Sequence, residues 1–266
     1  MGDSAFAGSI PELYDRHLVP LIFDSYARDT AARLAAFKPR DILEVAAGTG
    51  VVTRAIAAVL PDARIVATDL NQPMLDTAAA RQRGENIIWQ QADAQSLPFA
   101  DQNFDAVVCQ FGAMFFPDRR RAYSEARRVL RPQGRYIFAV WDRISENEFA
   151  DVVTKALAER FPNDPPQFLA RTPHGYHDPD TIRADVAAAG FTDIAVDAVE
   201  ERSRAATAFD AAFAYCQGTP LRSEIEARDP NGLTDATNVA AKALENHFGS
   251  GPIDGKISAL VITATR

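Results

Sequence analysis

The sequence predicts an α/β fold with a doubly wound, mostly parallel β-sheet. Short apolar runs alternate with helical patterns along residues 41–141, the first two runs carry an acid at or near their ends, and a Gly-x-Gly turn follows the first run. In open sheets of this kind, ligands bind beyond the carboxyl ends of the strands. We therefore expect the functional site where these runs end.

The first strand, turn and helix are predicted at residues 41–60. An apolar run leads into small residues with Gly48 and Gly50, and a helical pattern follows. A dinucleotide-binding turn has a third glycine where this chain has Thr53, and a P-loop would need a lysine that is missing here. The turn therefore lets backbone approach a ligand closely, but it lacks the parts that hold a diphosphate.

The second apolar run, residues 64–69, ends in Asp69, which lies 19 residues beyond Gly50. A carboxylate at the tip of this strand can accept two hydrogen bonds from a ribose diol. The alternative interpretation is a surface acid at a strand end. A helix predicted over residues 72–81, with Pro73 in its first turn, keeps Asp69 at the carboxyl edge of the sheet.

A third predicted strand, residues 87–90, is followed by Asp93 and Ala94. The Asp93 carboxylate can accept from an exocyclic amine, and the Ala94 amide can donate to a ring nitrogen. Together they would recognise an adenine edge. The alternative interpretation of Asp93 is an aspartate that stabilises a turn at a strand end.

Taken together, these segments resemble the class I S-adenosylmethionine-dependent methyltransferases, in particular the small-molecule branch similar to the quinone C-methyltransferases. The resemblance covers roughly residues 34–141. Its motifs stand in order at residues 43–50, 67–71, 91–94, 97–105 and 130–135. The last motif has Gln133 where the family usually has glycine, and because Pro132 and Gly134 are kept we expect the turn geometry to survive.

The resemblance implies a Rossmann-like sheet of seven strands, mostly parallel with an antiparallel C-terminal strand. It also implies S-adenosyl-L-methionine as the cofactor and S-adenosyl-L-homocysteine as the product. The implied reaction is methyl transfer to an O, N or C atom of a small aromatic or apolar molecule by in-line displacement. The implied cofactor residues are Tyr14, Glu44, Ala46, Gly48, Gly50, Asp69, Leu70, Met74, Asp93, Ala94 and Gln110.

Each implied cofactor residue takes its role from the matching family position. Glu44 would lie near the methionine amino group, and the backbone at Ala46, Gly48 and Gly50 would lie against methionine and ribose. Asp69 would take the ribose hydroxyls. Leu70 and Met74 would flank the adenine or ribose, Asp93 and Ala94 would contact adenine, and Gln110 would line the place where cofactor meets substrate. Tyr14 is either a lid residue or an aromatic packed under a helix.

The substrate pocket is predicted from mostly aromatic and apolar side chains near the carboxyl edge, although core packing explains some of them equally well. They are Phe111, Met114, Phe115, Trp141, His174 and Tyr176. No catalytic residue is assigned, because a general base is optional for this chemistry. If a general base is used, the candidates are His174, His177 and His17, because histidine titrates near neutral pH. The spacing of His174 and His177 offers only Asp178 as a third ligand nearby, so no metal is expected.

The chain is predicted to form a single domain over residues 1–266. We expect N-terminal lid helices at 1–32, a cofactor-binding half at 33–141, a capping insertion at 142–180 and a C-terminal half at 181–266. The proline-rich, irregular character of the insertion suggests that substrate specificity resides there.

The amino-acid composition limits the class of binding partner and the cellular compartment that we expect. A net charge of −8 argues against broad nucleic-acid binding, so the expected partner is a small molecule. No apolar run approaches the roughly 20 residues that cross a bilayer, and residues 1–10 lack a secretory signal. Cys109 and Cys216 are far apart in sequence, which fits a reducing, cytoplasmic setting. Monomer and homodimer both remain open.

Two other functions remain possible at this point. One is an NAD(P)- or flavin-dependent oxidoreductase on the same kind of sheet, which the missing third glycine disfavours. The other is a cofactor-binding module without turnover, which the intact turn and acids do not distinguish from an enzyme.

Overall fold

The computed structural model describes residues 10–82, 84 and 86–266, so residues 1–9 of the predicted lid helices lie outside the described residues. The chain divides into two compact units. The unit that we call the sheet unit comprises Asp24–Val140, Tyr176–Val199 and Ala259–Arg266. The unit that we call the helical unit comprises the described part of Met1–Phe23, Trp141–Gly175 and Glu200–Ser258.

Within the described ranges, seven strands form one sheet. They are β1 (Asp41–Val45), β2 (Arg64–Asp69), β3 (Ile87–Gln91), β4 (Phe104–Gln110), β5 (Leu130–Trp141), β6 (Thr192–Ala205) and β7 (Ile253–Thr265). Their order across the sheet is β3-β2-β1-β4-β5-β7-β6, and the first five pair in parallel. The order reverses beside β1, as in doubly wound sheets.

The C-terminal strand is antiparallel to β5. The Arg266 amide donates to the Gly134 carbonyl at 2.9 Å, and the Asp142 amide donates to the Ser258 carbonyl at 3.1 Å. Because residue numbers rise along β5 as they fall along β7, the two strands run in opposite directions. The predicted Rossmann-like fold class is confirmed, with seven strands and an antiparallel C-terminal strand.

The helices alternate with the strands through the first half of the chain and become consecutive later. They are α1 (Ile10–Leu13), α2 (Asp24–Ala35), α3 (Val51–Val59), α4 (Gln72–Arg81), α5 (Arg119–Val129), α6 (Glu148–Arg160), α7 (Phe168–Arg171), α8 (Pro179–Ala188), α9 (Ala208–Gln217), α10 (Leu221–Arg228) and α11 (Leu233–Phe248). The central strand β4 is buried along most of its length, including Val107 and Val108 at 0% exposure. Its continuous apolar run follows from this burial on both faces.

Two strands extend beyond their apolar runs. β5 begins at Leu130, where it pairs with Phe104 of β4 before a register shift to Ala106 and Arg135. β6 continues to Ala205. Both strands therefore run further than their apolar cores indicate.

The N-terminal segment is also more divided than expected. Tyr14–Phe23 is a π-helix with Pro20 inside it, between α1 and α2. A proline lacks the amide proton that an α-helix interior needs, which is one reason for a wider turn here. The predicted lid, residues 1–32, has its described part up to Phe23 in the helical unit and continues in the sheet unit.

The predicted capping insertion, residues 142–180, contains α6 and α7 and lies in the helical unit as far as Gly175. Its chain is thus more regular than its prolines indicated. The arrangement as a single domain stays a prediction. In the part of the chain that the structure describes, no helix is long and apolar enough to span a membrane.

The bulge at Pro132–Gly134, inside β5, lets us predict two opposite changes in the free energy of unfolding. Gln133 is exposed with φ +65°, a left-handed conformation that costs a non-glycine residue about 1–2 kcal/mol. A Cβ at Gly134 would lie 2.8 Å from the Arg131 carbonyl oxygen. We expect Gln133→Gly to raise the free energy of unfolding by up to about 1 kcal/mol, after its entropic cost, and Gly134→Ala to lower it. Urea denaturation measures both, and a clear loss of stability in Gln133→Gly would contradict the assignment.

Candidate functional site

The turn between β1 and α3 is built from alternating left-handed residues. Ala46, Gly48 and Gly50 have φ values of +55°, +56° and +80°. The turn is held by the Ala47 amide, which donates to the Thr68 carbonyl at 2.9 Å, and by the Gly50 amide, which donates to the Ala47 carbonyl at 2.9 Å. A Cβ added at Gly48 would meet nothing within 4 Å. Open space therefore lies against the backbone at the centre of the turn.

Asp69 connects the end of β2 to this turn. Its Oδ2 accepts from the Gly48 amide at 2.9 Å, and its Oδ1 accepts from the Asn71 amide at 2.8 Å. Burial, with only 7% of the residue exposed, raises the pKa of Asp69, and the backbone hydrogen bonds oppose that rise. Oδ1 also accepts from the Asn71 side-chain amide at 3.3 Å, so much of the acceptor capacity of this carboxylate is already used within the protein.

Glu44 lies at the end of β1 and is only 2% exposed. Its Oε2 accepts from the Thr53 hydroxyl of α3 at 2.5 Å. Burial raises the pKa of the Glu44 carboxyl to about 8, and Asp69 adds to the rise, while Thr53 and Arg54 oppose it. Two acids thus border the same turn, and each is more easily protonated than in water.

The loops after β2 and β3 are joined to each other. The Ala92 amide donates to the Asp69 carbonyl at 3.0 Å, and the Gln91 side chain donates to the Leu70 carbonyl at 2.8 Å. Leu70 is 54% exposed, unusual for a large apolar side chain, whereas Met74 is buried. The exposed leucine beside Asp69 offers apolar surface to a ligand.

Asp93 stabilises the turn that follows β3. Its Oδ1 accepts from the Gln95 amide at 2.8 Å, and its carbonyl accepts from the Ser96 amide at 3.0 Å. This is the alternative that the sequence left open, and it leaves the exposed carboxylate able to accept other donors. Ala94 is buried beside it.

The segment after β4 holds three more predicted residues in the sheet unit. The Gln110 side-chain carbonyl accepts from the Thr30 hydroxyl at 3.2 Å. Phe111 has φ +55° and meets the ring of Tyr26 edge-on at 5.3 Å between centroids. Met114 is buried in the 3₁₀ turn Ala113–Phe115, and Phe115 is half-buried there.

Tyr176, which the sequence placed in the substrate pocket, is also in the sheet unit. Its hydroxyl donates to Asp185 at 3.0 Å, and the Arg119 guanidinium lies 4.1 Å from its ring centroid. Burial raises the pKa of Tyr176 above its ordinary value. The residue is 5% exposed, so these contacts already occupy most of its surface.

The helical unit brings together the other predicted substrate residues. Ring centroids are 5.1 Å apart between Tyr14 and Phe23, 5.8 Å between Phe23 and Trp141, and 6.0 Å between Trp141 and His174. His174 Nδ1 lies 2.8 Å from the carbonyl oxygen of Asp142. Because a carbonyl only accepts, Nδ1 carries the proton, and Nε2 is the basic nitrogen of the neutral ring.

His17 and His177, the other two candidate bases, are not part of this aromatic chain. His17 packs edge-on against Phe213 at 5.1 Å in the helical unit, and His177 belongs to the sheet unit. Among the described residues, no group of three His, Cys, Asp or Glu side chains is placed to hold a metal ion.

Three neighbours of the site were missed as functional residues. Thr53 was recognised only as a missing glycine, although a buried acid in β1 needs a donor from the helix that follows. Trp89 lies against Gly50, where an added Cβ would be 2.6 Å from its ring. Phe23 links Tyr14 to Trp141, and no sequence pattern singled it out.

The two glycines of the turn predict different costs for the same substitution. Gly48→Ala adds only left-handed strain, about 1–2 kcal/mol, because its Cβ meets open space. Gly50→Ala adds similar strain and a clash with Trp89, so we expect it to destabilise the protein by at least about 1 kcal/mol more. Thermal or urea unfolding measures the difference. Equal losses would show that Trp89 does not limit the turn.

Glu44 predicts a pH-dependent loss of stability. Its folded pKa, about 8, exceeds its usual value of 4.5, so its contribution is fully present below about pH 4.5 and is lost as pH rises towards about pH 8. We expect Glu44→Gln to gain about 3–5 kcal/mol relative to the wild type between these limits. Urea denaturation across this range measures the free energy of unfolding. Parallel stability curves for the two proteins would contradict the assignment.

Comparison with known proteins identifies relatives of the sheet unit above all. Residues 43–138 match the model of a methyltransferase domain. A demethylmenaquinone methyltransferase from Thermus thermophilus is 32% identical over 177 residues, which cover 62% of this chain and 80% of that protein. Other curated relatives match over 34–56% of their own length, so for most of them the chain spans less than two thirds of the protein.

Solved structures agree on the fold. The YcgJ protein from Bacillus subtilis superposes with a TM-score of 0.56 at 20% identity, covering 90% of this chain and 98% of that one. Phosphoethanolamine N-methyltransferase 2 from Haemonchus contortus, in complex with S-adenosyl-L-methionine, gives 0.54 at 15% identity, covering 98% of this chain and 60% of that one. With the identity to the Thermus relative, the chain belongs to the class I S-adenosylmethionine-dependent methyltransferases.

Proposed function

We propose that the protein transfers a methyl group from S-adenosyl-L-methionine to a small aromatic or apolar molecule. The observation that carries the proposal is the β1–α3 turn, where open space lies at Gly48, the Asp69 carboxylate accepts from the Gly48 amide, and Glu44 precedes the turn at the end of β1. These residues fit a ligand that has a ribose diol and a cationic amino-acid end. When bound, S-adenosyl-L-methionine supplies a sulfonium methyl group that an O, N or C atom attacks in line, leaving S-adenosyl-L-homocysteine.

In this proposal, different residues of the sheet unit contact different parts of the cofactor. Asp69 accepts from the ribose hydroxyls chiefly through Oδ2, because Oδ1 already accepts from both the backbone and the side-chain amide of Asn71. Glu44 pairs with the amino group, and the exposed Leu70 covers an adenosine face. We also retain the implied adenine and substrate-side roles of Met74, Asp93, Ala94 and Gln110.

The acceptor is held mainly by apolar surface. In the sheet unit we assign this role to Phe111, Met114 and Phe115. In the helical unit, taken by itself, Trp141 and His174 keep their predicted substrate role and Tyr14 keeps its predicted cofactor role. Positioning an acceptor is worth about 7–11 kcal/mol of the barrier, so a dedicated base is not required. Where the acceptor carries a proton, the Nε2 atom of His174 is the basic nitrogen suited to take it. Tyr176 is retained as a pocket residue with its hydroxyl already bound to Asp185.

A phenol or quinol is the acceptor class that we favour, since the Thermus relative is named for demethylmenaquinone. The net charge of −8 disfavours a nucleic-acid substrate. Cys109 and Cys216 are both buried free thiols, which supports a reducing, cytoplasmic setting. An NAD(P)- or flavin-dependent reaction is disfavoured because Thr53 fills the third-glycine position with a bonded side chain.

The activity is tested by incubating the protein with S-adenosyl-L-methionine labelled in the methyl group and a panel of phenols, quinols and amines. We expect label in at least one acceptor and stoichiometric S-adenosyl-L-homocysteine, measured by mass spectrometry. Cofactor binding without any methylated product across the panel and a metabolite extract would favour the non-catalytic module. Tight NAD binding without response to S-adenosyl-L-methionine would overturn the proposal in favour of an oxidoreductase.

The role of Asp69 can be tested by comparing the affinities of two nucleosides for the wild type and for Asp69→Ala. Adenosine carries the ribose diol and 2′,3′-dideoxyadenosine lacks it. In the wild type we expect loss of the diol to weaken binding by about 1–3 kcal/mol, because hydrogen bonds to a charged acceptor are lost. In Asp69→Ala the two ligands should bind equally, as calorimetry would measure. A diol preference that survives Asp69→Ala would remove this carboxylate from the ribose site.

A further inference from the structure

The bond between Thr53 and Glu44 is a buried contact beside the turn that the proposed function does not yet use. Thr53, the third residue of α3, is 0% exposed, and its hydroxyl donates to Glu44 Oε2 at 2.5 Å. Among the described residues, none donates a hydrogen bond to the other carboxyl oxygen, Oε1. The hydroxyl therefore fixes one oxygen and leaves the second available as an acceptor.

The hydrogen bond from Thr53 affects the pKa of the Glu44 carboxyl, together with the charged groups around it. The groups that face it are Arg54 of α3, Asp69 of β2 and Cys109 of β4, besides Thr53 itself. Arg54 and Thr53 favour the ionised form, whereas burial and Asp69 favour the protonated form. Burial raises the pKa of the Glu44 carboxyl to about 8, so the protonated form is favoured far more than in water.

A protonated carboxyl is a poor partner for an ammonium group, because charge-assisted hydrogen bonds need the ionised form. Binding of a cationic amino-acid end must therefore move the Glu44 proton to the solvent and leave a carboxylate paired with the ammonium. A donor already directed at Oε2 lowers the cost of that step, since it stabilises the carboxylate and fixes the plane of the group.

We propose that Thr53 is a positioning residue that prepares the Glu44 carboxylate for the ammonium group of the ligand's amino-acid end. The inference rests on the proposed use of S-adenosyl-L-methionine. It makes two statements beyond that use. The Thr53 hydroxyl contributes to affinity only for ligands that carry the amino acid, and binding of such ligands releases a proton from Glu44.

Two ligands and three variants separate this role from a purely structural one. S-adenosyl-L-homocysteine carries the amino-acid end, and 5′-methylthioadenosine shares its adenosine and thioether but lacks that end. Thr53→Val removes the hydroxyl at nearly constant shape, Thr53→Ser keeps it, and Glu44→Gln removes the ionisable group. Calorimetry from about pH 6 to pH 9, in buffers of different ionisation enthalpy, gives both the affinity and the number of protons released.

At about pH 7 we expect Thr53→Val to weaken S-adenosyl-L-homocysteine binding by about tenfold or more and to leave 5′-methylthioadenosine unchanged. The pH dependence of the first ligand should move to higher pH, because the lost donor favoured the ionised form. Thr53→Ser should restore both the affinity and the profile. Glu44→Gln should abolish the difference in proton release between the two ligands.

The results that overturn the inference are distinct from those that overturn the proposed function. Equal weakening of both ligands, or an unshifted pH profile in Thr53→Val, would reduce Thr53 to a packing role. Unchanged proton release in Glu44→Gln would do the same without relying on the Thr53 variants. Failure of the wild type to bind either ligand would instead remove the proposed function, and the inference with it.

Discussion

The hydrogen bond from the Gly48 amide to Asp69 is the contact on which the rest of the site depends. It joins the tip of β2 to the centre of the β1–α3 turn, two segments that parallel pairing alone would leave independent. The bond needs an acid at the end of β2 and a backbone that turns left-handed at position 48, with open space above it. Sheet geometry, turn conformation and ligand chemistry are therefore fixed by the same pair of residues.

That arrangement has an electrostatic cost, because it places a second acid, Glu44, in the same buried surroundings. Burial raises the pKa of both carboxyls, and the Asp69 carboxylate raises the pKa of Glu44 further. The donors around them, which include the backbone at Gly48 and the hydroxyl of Thr53, reduce this cost without cancelling it. Strained, polar and incompletely neutralised sites of this kind are typical of functional regions, since stability alone would favour apolar residues there.

The sequence predicted those parts of the fold that local patterns encode. The bounds of α4 match the predicted ones, and β1, β2 and β4 follow from apolar runs between turn residues. The extension of β5 depends on a bulge with Gln133 in a left-handed conformation, and the π-helix around Pro20 depends on tertiary surroundings. The position of Asp69 was predictable from spacing. The hydrogen-bond partner of Glu44 could not be predicted, because nothing in the sequence distinguishes a helical threonine whose hydroxyl faces inward from one that only packs.

The family match covers one of the two units, so it bears on the sheet unit and not on the helical unit. The matched domain, residues 43–138, lies entirely within the sheet unit, which holds the backbone turn and both acids. Such a site depends on main-chain conformation and a few acids, so it tolerates wide change elsewhere in the sequence. The aromatic chain from Tyr14 to His174 depends instead on side chains of the helical unit, outside the matched domain. The family match accordingly bears on the methyltransferase fold of the sheet unit, whereas the role of the aromatic chain in acceptor choice stays a proposal.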